Sequence, residues 1–232
     1  MTNQSTGGAQ LLSWQRSGWG VDDKVRRDPA VFEEKRRKIL RAASRVFAKK
    51  GYSGTRVGDI AREAGIAYGL VYHYFRNKED VLNSLFQENW AIALKVMEDI
   101  HQQGGSLAEK LRGVASFFLE AWRMEPDLIE VLMIEVVRSP KSLETANLAA
   151  FHRSFDLIER IFADHAELGE LREGVDPRMT GFLFLGSLEM LLTGFVAREL
   201  LAEDAAAVAS CSGALVDNFL LGVAQPSLAG AR

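Results

Sequence analysis

Apolar residues recur at three- and four-residue spacings along most of the chain, and no segment alternates as a strand would. Over 29–50 they are Val31, Phe32, Ile39, Ala42, Ala43, Val46 and Phe47. Asp28-Pro29 provides an N-cap and a preformed first turn, Lys49-Lys50 suit the negative end of the helix dipole, and Gly51 ends the helix. Short helices follow at 57–64 and 68–74, separated by the Gly65-Ile66-Ala67 turn, and Asn77 caps a long helix over 78–102. Ser106-Leu107-Ala108-Glu109 is a capping box opening a helix to about 123, and Pro126 opens one to about 138. The remaining helices are predicted at 141–166, at 177–200 after Asp176-Pro177, and at 205–223 after Asp204. The expected fold is all-α, with about nine helices and no sheet.

Two short helices joined by a Gly-containing turn form a helix-turn-helix pattern. The expected organisation is a polar tail over 1–27, a helix-turn-helix domain over 28–77, a larger helical domain over 78–225 and a tail over 226–232. Trp14 and Trp19 stand out in the first tail.

Charge narrows the choice of partner. The 232 residues carry a net charge of −3, but residues 24–80 carry +8 and residues 81–232 carry −10. A basic module joined to an acidic one suits a polyanion bound by the first part alone. On charge alone, a solvated basic helix face fits equally well, and Lys35, Arg36, Arg37 and Lys38 are expected to be solvated or loosely steering. The cluster Lys24-Val25-Arg26-Arg27 reads as a candidate arm for a minor groove.

The B-DNA major groove admits one α-helix, and the second helix of a helix-turn-helix enters it. Tyr68, Gly69, Leu70, Tyr72 and His73 are expected on the groove-facing side. Gly69 removes bulk where helix and DNA approach, Leu70 suits a thymine methyl, and the Tyr and His side chains suit phosphates or base edges. Lys78 opens the next helix, where backbone N–H groups also attract phosphate. Val71, Tyr74 and Phe75, with Ile60, Ala61, Ala64 and Ile66, are expected in the core.

The run GYSGTRVGDIAREAGIAYGLVYHYFRNKEDVL from Gly51 to Leu82, preceded by Ile39-Leu40-Arg41-Ala42-Ala43, resembles the TetR family of bacterial transcriptional regulators over about residues 35–85. The resemblance implies a homodimer that binds a palindromic double-stranded DNA operator, usually as a repressor, and answers to a small effector. It implies phosphate contacts from Tyr72 and Lys78 and recognition positions at Tyr68, Gly69 and His73. It also matches Thr55 to the family's threonine near the start of the second helix, expected here among the DNA contacts. Arg56 and Ala67 depart from the family's usual Ser or Thr, each losing an N-cap hydroxyl worth about 1 kcal/mol. Arg56 instead offers a cation to a phosphate and is expected to contact DNA.

The apolar C-terminal helices are the expected dimer surface, through Phe182, Leu185, Leu188, Leu192, Phe195, Leu215 and Phe219. An effector pocket needs apolar lining with a few polar groups. Phe117, Phe118, Trp122, Leu132, Met133, Val136, Phe151 and Phe155 are the candidates, with Arg138 as a polar group. Glu130, Glu135, His152 and Arg153 are other ionisable groups nearby in sequence. The segment 126–149 and the run from Gly169 to Pro177 are similar to a TetR subgroup that regulates fatty-acid degradation and responds to long-chain acyl-CoA. That makes acyl-CoA a candidate effector beside other small hydrophobic ligands.

No phosphate loop or Gly-x-Ser-x-Gly elbow is present, and the four histidines show no metal-like spacing with each other or with Cys211. No catalytic residue, metal or cofactor is therefore expected. One cysteine cannot form an internal disulfide, no apolar run approaches the roughly 20 residues of a membrane span, and residues 1–20 lack a signal core. A cytoplasmic protein without a membrane partner is expected. Two other readings remain: a helical small-molecule-binding protein without specific DNA recognition, and a helical hydrolase or transferase.

Overall fold

The computed structural model describes residues 28–137, 146–200 and 204–223. Trp14, Trp19, the 24–27 cluster and Arg138 lie outside the described residues, as do the expected tails. Nine α-helices are present among the described residues: α1 Pro29–Gly54, α2 Val57–Ala64, α3 Tyr68–Tyr74, α4 Lys78–Gln102, α5 Leu107–Met124, α6 Pro126–Val131, α7 Ala146–Glu167, α8 Pro177–Val196 and α9 Ala205–Val223. A π-helical turn, Leu132–Val137, continues α6.

The caps follow from the sequence. Asp28, Asn77, Ser106 and Asp176 each accept a backbone N–H in the first turn of their helix. Gly51 has φ 70° and ψ 156°, a backbone region essentially closed to side-chain-bearing residues, so α1 is broken there and only one further turn follows. Gly65 ends α2 in the left-handed region, and the Ile66 N–H donates to Ala61 O.

Two cores form. One gathers Ile39, Phe47, Ile60, Val71 and Phe75 around Val81, Leu85 and Phe86 of α4. The other gathers Leu94 and Met97 of α4 with Leu111, Leu119, Ile158, Phe162, Phe184, Leu188 and Phe195. Val131, at the end of α6, and Leu132, at the start of the π turn, belong to the first core, so the helix-turn-helix is packed against the C-terminal helices.

Three expectations change. The helix predicted over 126–138 becomes α6 plus a π turn, with one more residue per hydrogen-bonded loop. The helix predicted to about 200 ends at Val196. Arg198 takes φ 61°, and the N–H groups of Glu199 and Leu200 both donate to Gly194 O. Leu200 lies so close that a Cβ on Gly194 would meet its Cδ1 at 2.7 Å. By length and composition, α8 and α9 are also apolar enough to cross a membrane, where no spanning segment was expected. Arg178 and Glu189 interrupt the run in α8.

Replacing Gly51 with Ala forces a Cβ into this disallowed region. Thermal unfolding of Gly51→Ala should show a loss of about 1–3 kcal/mol, read as a fall of several degrees in Tm.

Candidate nucleic-acid interface and ligand cavity

The helix-turn-helix face is built by α2, the Gly65 turn and α3. Val71 and Phe75 are buried, which fixes the rotation of α3 and turns Tyr68 and Tyr72 outward, 57% and 45% exposed. Their hydroxyls lie 2.9 Å apart and their rings meet edge to face at 5.3 Å. That hydrogen bond is the main reason the Tyr72 phenol is held above its ordinary pKa, with burial secondary. Gly69 and Leu70 are half-buried on the same helix. His73 is half-buried and packs against the rings of Phe32, at 6.4 Å, and Tyr74, at 5.5 Å.

Arg56 occupies the N-cap of α2 with its side chain exposed, and no side-chain cap is made there. The Asp59 carboxylate accepts the Arg56 backbone N–H at 3.0 Å and also pairs with Lys50 and Arg62. Lys50 is the largest of the influences that hold the Asp59 carboxyl below its usual range, followed by the Arg56 N–H. Ala67 likewise leaves α3 without a side-chain cap.

Two expected DNA contacts are turned inward. Thr55 is 2% exposed, and its hydroxyl donates to Gly51 O at 2.8 Å, so it closes the last turn of α1. Lys78 donates to Tyr52 O at 2.6 Å and Thr55 O at 3.0 Å, with its ammonium 4.2 Å from the centre of the Tyr52 ring. The ammonium is thus committed to two carbonyls at the α1–α2 junction. Acidic Glu79 and Asp80 fill the first turn of α4, which makes that helix start a poorer phosphate site than its N–H groups suggest.

The effector candidates converge more closely. A cavity of about 400 Å³ lies among α4, α5, α6, α7 and α8, within the usual range of about 300–1,000 Å³ for ligand sites. Phe117, Phe118, Met133, Phe151 and Phe155 line it, as expected residues. Trp122 does not; it stacks on Phe195 at 4.8 Å. Trp90, Ala93 and Met97 of α4 also line the cavity, and sequence reasoning missed them. The signal was available: the apolar face of α4 runs beyond what a helix-turn-helix core uses. The polar groups at the cavity are Asn89, Ser154, Glu125 and Glu189. Ser154 is engaged, accepting from Trp90 Nε1 at 2.9 Å and donating to Ala150 O at 3.2 Å. Glu135 is not part of the lining; its carboxylate accepts the Tyr52 backbone N–H at 3.0 Å.

The expected dimer residues divide. Leu188, Leu192 and Phe195 are buried inside their own chain, because α8 is apolar on several faces and one of them serves this core. Phe182 and Leu185 line the cavity, as Leu188 and Leu192 also do, and Phe182, stacked on Phe155 at 4.0 Å, is still 43% exposed. Leu215 and Phe219 are half-buried against the same core. The apolar residues that α8 leaves outside include Met179, Leu183 and Met190, with Leu183 57% and Met190 67% exposed.

Asp59 ties the basic face to pH. Its depressed carboxyl contributes stability that is complete above the ordinary value of 3.8 and is lost as pH falls through the lower folded value. Asp59→Asn should therefore melt earlier than the native chain at neutral pH, and the gap should begin to narrow only as pH falls below about 4 in thermal scans.

Comparison with known proteins identifies the family and the fold. Residues 39–85 match the family described as "Bacterial regulatory proteins, tetR family". The fatty acid metabolism regulator protein of Bacillus subtilis is 30% identical over 158 residues, covering 68% of this chain and 81% of that protein. The structure of FadR from Bacillus subtilis in complex with stearoyl-CoA superposes with a TM-score of 0.70 at 27% identity, covering 80% of this chain and 97% of that one. FadR from Bacillus halodurans gives 0.69 at 27% identity, covering 78% and 94%. These relatives are regulators rather than enzymes. The chain belongs to the TetR family of bacterial transcriptional regulators.

Proposed function

We propose that this regulator represses transcription as a homodimer on a palindromic operator and is released when the acyl chain of a long-chain acyl-CoA enters the cavity. The observation that carries the reading is the cavity itself, an aromatic and aliphatic chamber packed directly against the helix-turn-helix core. An acyl tail suits that lining. The polyanionic head suits the exterior, because the two ionisable groups among the described lining residues, Glu125 and Glu189, are both acidic. The similarity to a regulator solved with stearoyl-CoA supports the same choice.

Residues 28–77 are read as the DNA-binding unit and 78–225 as the ligand-binding and dimerisation unit, in a cytoplasmic protein without catalytic function. Arg56, Tyr68, Gly69, Leu70, Tyr72 and His73 form the proposed DNA face. The dimer is assigned to the outer faces of α8 and α9, whose exposed Met179, Leu183, Met190 and Leu221 would otherwise stand in water. Two helices from each protomer would place two α3 helices on successive major grooves, about 34 Å apart.

Fluorescence anisotropy with DNA from immediately upstream of the gene, against shuffled duplexes, tests the reading. Specific binding should weaken roughly tenfold in Tyr72→Ala, about 1.4 kcal/mol, and should be reversed by stearoyl-CoA. No preference for any duplex, even after selection from random sequences, would defeat the operator reading. Release that ignores stearoyl-CoA would defeat the effector. In sedimentation, Leu183→Glu combined with Met190→Glu should turn a dimer into a monomer.

A further inference from the structure

The cavity and the helix-turn-helix share a wall. Leu128, Leu132 and Phe151 line the cavity and also pack against the DNA-binding core. Leu132 opens the π-helical turn, and Glu135 within that turn reaches 83 residues back to the Tyr52 N–H. Tyr52 directly follows the break at Gly51, whose φ of 70° interrupts the regular hydrogen-bond ladder of α1. The carbonyl of the same residue, in the next peptide unit, accepts from the Lys78 ammonium at the start of α4. The segment leading into α2 is therefore gripped on its N–H side by a carboxylate from the cavity wall and on its C=O side by an ammonium from α4. Burial, with Glu79 and Glu135 nearby, holds the Tyr52 phenol above its ordinary pKa, which agrees with a closely packed junction.

We infer that Glu135 is a positioning residue that carries cavity occupancy to the helix-turn-helix, through its hydrogen bond to the Tyr52 backbone. This deepens the proposed effector response and rests on it. A ligand changes DNA affinity only if the two conformations bind it differently, so some contact must exist in one state and not in the other. The Glu135 contact is placed for this. It spans two cores, it is made by a carboxylate at a backbone donor, and it sits on a turn whose first two residues, Leu132 and Met133, line the cavity. Displacing that wall withdraws the carboxylate, and the turn that sets the entry of α2 loses its hold on the Tyr52 N–H.

The test fills the cavity without a ligand. Ala121 lines it from α5, so Ala121→Phe stands in for an occupant, and the smaller Ala121→Leu repeats the test should Phe prevent folding, as judged by Tm. Operator affinity should fall by about tenfold in Ala121→Phe. In an Glu135→Ala background the same substitution should change affinity by less than about twofold, and Glu135→Gln, which keeps an acceptor, should restore most of the effect. Hydrogen exchange of the peptide containing Tyr52 should quicken in Ala121→Phe. An equal loss of affinity in both backgrounds overturns the inference, as does no loss in either or unchanged exchange at Tyr52. The exchange measurement needs no DNA, so a chain that recognises no operator would defeat the proposed function while leaving this coupling to be judged on exchange alone.

Discussion

One helix has to be buried twice. The 25 residues of α4 extend about 37 Å. Its first turns supply Val81, Leu82, Leu85 and Phe86 to the helix-turn-helix core, and later turns supply Leu94 and Met97 to the C-terminal core. Trp90 lies between them and packs against both, stacked on Phe86 at 5.0 Å and hydrogen-bonded to Ser154 of α7. Close-packed interiors resist gradual deformation, so a tilt of α4 must be answered in both cores. The placement of α3 relative to the cavity is thus a property of the whole chain rather than of a flexible connection.

Much of this was legible in the residues. The helix starts at Pro29, Lys78, Leu107 and Pro177 follow from cap chemistry written locally in Asp28, Asn77, Ser106 and Asp176. The helix-turn-helix pattern puts Tyr68 and Tyr72 on the outer side of α3 and Val71 and Phe75 in the core, and their exposures match that division. What escaped depends on distant partners. Thr55 and Lys78 carry groups that suit phosphates, but backbone carbonyls exposed by the Gly51 break claim them first. Leu188, Leu192 and Phe195 were assigned outside because α8 is apolar nearly all round, and periodicity cannot say which face meets its own core. The π turn was hidden because hydrophobic spacing over six residues barely separates it from an ordinary helix.

The charge asymmetry also means less than its arithmetic. Within the basic stretch, Arg36 pairs with Glu88, Arg45 with Glu63, and Lys50 and Arg62 with Asp59. Exposed pairs of this kind add little stability. Their effect is to orient cations and reduce the field a polyanion would meet, while Lys78 is drawn into the junction. Beside these pairs the face presents the hydrogen-bonded Tyr68 and Tyr72 and the exposed Arg56 side chain.

The shared wall makes the two sides of the chamber unequal. Leu128, Leu132 and Phe151 serve two masters, so a change there that reshapes the chamber also disturbs the packing of the DNA-binding core. The opposite wall, formed by Phe117 and Ala121 of α5 with Leu185 of α8, carries no such double duty toward the helix-turn-helix. Substitutions on the α5–α8 side can therefore reshape the chamber without touching the packing of that core directly, and reach it only by what they press against the α6–α7 side.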